Sequence, residues 1–151
     1  MKLTAGQPAP DFKLTDQHGN EITLQQLKGS KVLLYFYPKA NTPGCTIQAC
    51  SLRDHWNELK KKGVTILGVS PDAPAAQKKF SDRYELNFPL LADTERHAAE
   101  AYGVWDKKSL YGKLFFGIIR SSFLIDEDGI LIGVWYKVKP AETAGNALDL
   151  L

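Results

Sequence analysis

The chain has little with which to hold a metal, cross a membrane or grip a polyanion. Its 151 residues include three histidines, two cysteines and a single methionine, Met1. His18, His55 and His97 lie far apart, without the short spacings of a metal site, so no metal centre is expected. Asp126-Glu127-Asp128 reads as a turn rather than a metal loop. No stretch approaches the roughly 18 apolar residues that a membrane span needs. Residues 1–8 lack the apolar segment of a signal peptide. These absences predict no membrane partner and a cytoplasmic setting, where cysteines are redox-active or inert rather than structural disulfides. With 19 basic and 17 acidic residues the formal charge is +2, too small to point to nucleic acid. Lys60-Lys61-Lys62 fits the solvated C-terminal end of a helix, where cations suit the macrodipole. Repeats, low-complexity tracts and linkers are missing as well, so one domain over 1–151 is expected.

What is present alternates between sheet and helix. Phe12–Thr15 and Glu21–Leu24 flank Asp16-Gln17-His18-Gly19-Asn20, an N-terminal hairpin. Val32–Tyr37 is almost wholly apolar, as a strand covered on both faces must be, and Pro38 ends it. The helical pattern then runs from Thr42 to about Lys62, with Gly63 as its cap. Val64–Val69 is a second buried strand, left through Ser70-Pro71-Asp72. A helix over about 75–84, a short strand at Leu90–Ala92 and a short helix over 94–102 follow. Ser122–Asp126 and Ile130–Trp135 form a hairpin around Glu127-Asp128-Gly129, and a last helix starts near Pro140. This order predicts an α/β fold of three layers, α/β/α, around a central mixed sheet. The site should then lie beyond the C-terminal ends of the parallel strands.

Both cysteines fall there, in Tyr37-Pro38-Lys39-Ala40-Asn41-Thr42-Pro43-Gly44-Cys45-Thr46-Ile47-Gln48-Ala49-Cys50. Thr42 is placed to cap the helix and Pro43 to occupy its first position. Cys45 then sits in the first turn, where free N–H groups favour a thiolate. Ionisation alone explains little: a normal thiol is about 3% thiolate at pH 7, so full ionisation gains at most ~30-fold. Donors aimed at charge developing on a substrate supply more, about 10²–10³ each. The Thr42 hydroxyl and the Cys45 amide are local candidates, and a fixed cation is still needed. The spacing adds a mechanical condition. Residues i and i+5 of a helix have Cα atoms about 8–9 Å apart, beyond the ~7 Å that a disulfide tolerates. Cys45 and Cys50 can pair only if the first turns unwind.

Pro38-x-x-x-Thr42-x-x-Cys45 resembles the peroxiredoxin active-site signature, and Thr42-Pro43-Gly44-Cys45 followed by Cys50 resembles the PrxQ, or bacterioferritin comigratory protein, branch. Asn87–Asp93, Tyr102–Trp105 and Gly117–Asp126 extend the resemblance over essentially the whole chain. It implies a thioredoxin-like fold and a peroxidase acting on hydrogen peroxide and organic hydroperoxides. Cys45 would be the peroxidatic and Cys50 the resolving cysteine, joined in an intramolecular disulfide. Thioredoxin would be the reductant, with glutaredoxin as the alternative. The resemblance also supplies the cation, Arg120, and places Thr42, Pro38 and Pro43 around the substrate. It implies no cofactor, and a monomer with a dimer as the alternative. Gln48 departs from the Glu of many relatives, keeping hydrogen bonding but losing a charge.

Plainer readings stay open for single residues. Cys50 could be core packing, Thr42 only a cap, and Arg120 a solvent-facing arginine. A thioredoxin-type oxidoreductase would want Cys-x-x-Cys, and a copper chaperone a nearby His or Met. Neither is present in the run.

Overall fold

The computed structural model describes residues 2–151. Its nine strands are β1 (Lys13–Thr15), β2 (Glu21–Thr23), β3 (Lys31–Phe36), β4 (Val64–Ser70), β5 (Leu90–Ala92), β6 (Trp105–Leu110), β7 (Lys113–Ile118), β8 (Ser121–Ile125) and β9 (Leu131–Trp135). The α-helices are α1 (Pro43–Asp54), α2 (Trp56–Lys61), α3 (Pro74–Tyr84), α4 (His97–Ala101) and α5 (Thr143–Leu148). Seven strands form one mixed sheet in the order β2-β1-β5-β4-β3-β8-β9, and β6 and β7 form a separate two-stranded sheet. Strands β3, β4 and β5 are parallel, and the flanking pairs are antiparallel. This is the three-layer thioredoxin-like arrangement expected from the sequence, N-terminal hairpin included.

The apolar run of β3 is explained by cover on both faces. Val32, Leu34 and Phe36 join a core with Ala98, Ala99 and Tyr102 from the α4 side. Leu33, Tyr35 and Tyr37 join a second core with Ala49 and Leu52 of α1, Leu59 of α2, Phe80 of α3 and Ala147 of α5. Gly68 of β4 makes room for a ring in this second layer: a Cβ there would lie 2.9 Å from the Tyr35 hydroxyl.

Three elements differ from the sequence expectation. The helix expected over 42–62 is broken at His55, whose φ of −95° and ψ of 5° leave the helical region. The His55 ring nitrogen Nδ1 lies 2.7 Å from the Ser51 carbonyl, an oxygen that also accepts from the His55 amide. The helix expected over 94–102 starts only at His97, because Arg96 adopts a left-handed φ of 62°. The hairpin β6–β7 was not expected at all. It turns at Tyr111-Gly112, both with positive φ, and exposes Leu110, Tyr111, Leu114, Phe115 and Phe116.

Candidate active site

The register of the sheet brings the site together. Ser121, the first residue of β8, pairs with Phe36, the last of β3. Arg120 therefore projects just beyond the C-terminal end of β3, where Pro38 diverts the chain toward α1. The Arg120 carbonyl accepts from the Val138 amide at 2.9 Å, which fixes the backbone of this corner. Its guanidinium reaches Cys45: Nη1 lies 3.4 Å from Sγ. The same Nη1 donates to Gln48 Oε1 at 2.8 Å, and Gln48 Nε2 donates to Thr143 Oγ1 of α5 at 2.9 Å. Gln48 and Thr143 are both buried. A neutral amide thus does by hydrogen bonding what a carboxylate would do by charge: it aims the guanidinium while leaving it free of an ion pair.

Cys45 lies in the first turn of α1 with only 1% of its surface exposed. Cys50 is half-buried on the same helix, and both thiols are free. Pro43 occupies the first helical turn, as expected. Thr42 has the extended backbone of a capping residue (φ −92°, ψ 159°), yet its side chain caps nothing. Its hydroxyl instead donates to the Lys39 carbonyl at 2.8 Å. The expected cap is corrected for a local reason: Asn41 turns the chain with a left-handed φ of 64°, folding Thr42 back over Lys39. Gly44 is required by a close approach, since a Cβ there would lie 2.9 Å from Arg120 Nη2.

Beside Arg120 opens a cleft of about 570 Å³ lined by Lys107, Leu114, Ile119, Lys137 and Val138, among others. Arg120 itself lines the cleft, whereas Cys45, Thr42, Pro38 and Pro43 lie outside its lining. Lys108, at the same cleft, is held below its ordinary range by burial, with the nearby Arg120 charge as the second cause. Among the described residues no group of three potential metal ligands occurs, and no helix is long and apolar enough to cross a membrane.

The AhpC/TSA family model matches residues 5–134. The peroxiredoxin Bcp of Escherichia coli is 53% identical over 127 residues, covering 84% of this chain and 81% of that one. The chain belongs to the AhpC/TSA family, as a peroxiredoxin of the Bcp type. Solved structures agree with this peroxiredoxin in fold. The bacterioferritin comigratory protein of Xanthomonas campestris, described for alkyl peroxide reduction, superposes with a TM-score of 0.89 at 35% identity, covering 97% of this chain and 96% of its own. Peroxidoxin BcpB of Mycobacterium tuberculosis gives 0.87 at 35% identity, covering 98% and 96%. A cysteine variant of Xylella fastidiosa PrxQ gives 0.92 at 27% identity, covering 99% and 95%. As a peroxiredoxin the protein is a thiol peroxidase.

Of the residues singled out from the sequence, the structure joins Cys45 and Arg120 directly and sets Thr42 in the adjoining loop. Sequence reasoning did not find the buried Thr143 that steadies Gln48. No local signal marks it, because its partner lies 95 positions away.

Proposed function

We propose that this peroxiredoxin reduces hydrogen peroxide and organic hydroperoxides through a cycle confined to Cys45 and Cys50. The observation that carries the reading is the Arg120 guanidinium 3.4 Å from a buried thiol in the first turn of a helix. The Cys45 thiolate attacks the distal oxygen of the hydroperoxide and the O–O bond breaks. Cys45 becomes a sulfenic acid, and the departing alkoxide takes a proton and leaves as an alcohol or water. Arg120 stabilises charge as it develops on the leaving oxygen. The Thr42 proton is already engaged by the Lys39 carbonyl. Toward substrate its oxygen is therefore an acceptor, matched to the O–H of a protonated hydroperoxide.

Cys50 completes the cycle. Within intact α1 the two Cα atoms stand about 8–9 Å apart, outside the ~7 Å limit for a disulfide. The first turns of α1 unwind, Cys50 attacks the sulfenic sulfur, water leaves, and an intramolecular disulfide forms. A dithiol protein, thioredoxin with glutaredoxin as the alternative, restores both thiols by exchange. The alkyl peroxide activity described for the Xanthomonas protein, and Leu114, Ile119 and Val138 in the cleft beside Arg120, support organic hydroperoxides as substrates. Pro38 and Pro43 shape and shield the loop that holds Thr42. We take the enzyme to act as a single domain, monomeric and cytoplasmic.

The test is stoichiometric peroxide added to reduced enzyme, followed by peptide mass. A Cys45–Cys50 disulfide is expected, with a stable sulfenic acid in Cys50→Ser. An intermolecular dimer, or disulfide formation unaffected by Cys50→Ser, would overturn the resolving role. Peroxidase activity surviving in Cys45→Ser would overturn the reading altogether.

A further inference from the structure

The loop that carries Thr42 is tied to the sheet by one peptide group. The Lys39 carbonyl and the Ala40 N–H belong to the same planar unit. Its carbonyl end accepts from the Thr42 hydroxyl at 2.8 Å. Its N–H end donates to Asp72 Oδ2 at 2.7 Å. Asp72, just past the end of β4, is held in turn. Its Oδ2 accepts from the Ser70 hydroxyl at 2.6 Å, and Ser70 Oγ accepts from Gln77 Nε2 at 2.8 Å. Gln77 is buried, donates also to the Leu91 carbonyl at 3.1 Å, and accepts from the Tyr37 hydroxyl. Burial pushes the Tyr37 phenol far above its ordinary range, so it donates at every working pH. The chain of donors therefore runs one way, from Tyr37 through Gln77 and Ser70 into Asp72.

We propose that Asp72 is a positioning residue which, through the Lys39–Ala40 peptide, orients the Thr42 hydroxyl and holds the active-site loop against unwinding of α1. A carboxylate on the N–H end polarises the peptide and strengthens the bond that its carbonyl accepts. The Thr42 hydroxyl is thereby turned so that its lone pairs remain free. The same tie opposes resolution, because the loop is the N-terminal anchor of the helix that must unwind before Cys50 reaches Cys45. Asp72 thus favours peroxide reduction and restrains disulfide formation. This rests on the Cys45–Cys50 cycle above. It has a further chemical consequence. A sulfenic acid that waits longer for Cys50 is more exposed to a second hydroperoxide, which oxidises it to sulfinic acid and is itself reduced to alcohol or water.

The experiment compares wild type, Asp72→Ala, Asp72→Asn and the core variant Phe123→Leu in rapid mixing with hydrogen peroxide. Sulfenic acid formation and disulfide formation are followed separately, and Cys45 sulfinic acid is measured by mass after graded peroxide. For Asp72→Ala the peroxide reaction is expected to slow several-fold. Disulfide formation should speed up by roughly tenfold, the scale of one lost charged hydrogen bond, and correspondingly more peroxide should be needed to reach half sulfinic acid. Asp72→Asn keeps an acceptor oxygen without the charge and should fall between. Phe123→Leu lowers stability without touching the loop and should leave the ratio of the two rates unchanged. Both rates moving together in Asp72→Ala, as in a merely structural defect, or neither moving, would overturn the role of Asp72. A wild type that forms no Cys45–Cys50 disulfide would instead overturn the cycle on which it rests.

Discussion

On one face of β3, Val32, Leu34 and Phe36 meet a layer of hydrocarbon and aromatic rings closed by Phe123, Tyr102 and Ala99. On the other, Leu33, Tyr35 and, just past the strand, Tyr37 meet a layer that also contains Cys45. The alternation of one strand thus feeds two cores of different character. In the first, Phe123 sits edge-on to Phe36, Tyr102 and Tyr136 at centroid distances of 5.8, 5.0 and 5.4 Å. In the second, Tyr35 and Tyr37 stack at 5.4 Å, yet only Tyr37 finds a partner for its hydroxyl. Stability and chemistry are therefore stored on opposite faces of the same strand. The hydrocarbon layer fixes the sheet, and the mixed layer surrounds Cys45, the thiol proposed to react.

The two faces should differ most at Cys45. Cys45→Ser should abolish hydroperoxide consumption while leaving the denaturation midpoint nearly unchanged, since it exchanges one atom in a packed site. Arg120→Met is the next largest change. If Arg120 acts on the leaving oxygen as proposed, a loss of about 10²–10³ in kcat/KM is expected, measured by peroxide consumption across several substrates. The opposite layer should respond the other way round. Phe123→Ala is expected to cost about 3–5 kcal/mol in chemical denaturation, while activity per folded molecule is retained. Gly44→Ala lies between the two cases. Its new Cβ would lie 2.9 Å from Arg120 Nη2 and in ordinary contact, 3.6 Å, with Pro140, so a side-chain end rather than backbone must give way and stability should fall by about 1 kcal/mol. Displacing that guanidinium should still lower kcat/KM by roughly tenfold. The smallest and most specific contrast lies within the tyrosine pair. The Tyr35 hydroxyl is buried without a partner among the described residues, so Tyr35→Phe should be neutral or stabilising by up to about 1 kcal/mol. Tyr37→Phe leaves the Gln77 carbonyl unpaired and should cost about 1–3 kcal/mol, both read by denaturant titration. Equal costs for the two would erase the distinction between the partnered and the unpartnered hydroxyl within this layer.

Strand β3 and the first turn of α1 were legible in the sequence because their signals are local: an unbroken apolar run, then Pro38, Thr42 and Pro43 at fixed offsets from Cys45. Arg120 was legible only through family resemblance. Its approach depends on the pairing of Phe36 with Ser121, a contact between distant segments that no local pattern encodes. The hairpin β6–β7 was missed although Tyr111-Gly112 is a turn signal. Lys107-Lys108 and Phe115-Phe116 put like residues side by side, which obscures the period-two alternation of a strand. The break at His55 was hidden for the opposite reason. Leu52, Trp56 and Leu59 keep a helical period straight across it, so the apolar pattern stays continuous where the backbone does not. Asp72 read only as the exit from a strand, because its partner amide lies 32 positions away.

The interruption at His55 also sets a boundary in time as well as space. Helix melting spreads cooperatively along an unbroken ladder of hydrogen bonds, and α1 ends its ladder before α2 begins. Leu59 of α2 stays sealed in the core and gains nothing from following α1. The unwinding proposed to start at Cys45 would therefore have a natural stopping point within the twelve residues of α1. The reverse step needs only one short helix to rewind on a template that never left the sheet. Under the proposed cycle, turnover would resemble the swing of a hinged flap on a rigid frame, repeated each catalytic round, rather than a partial denaturation that the whole molecule must repair.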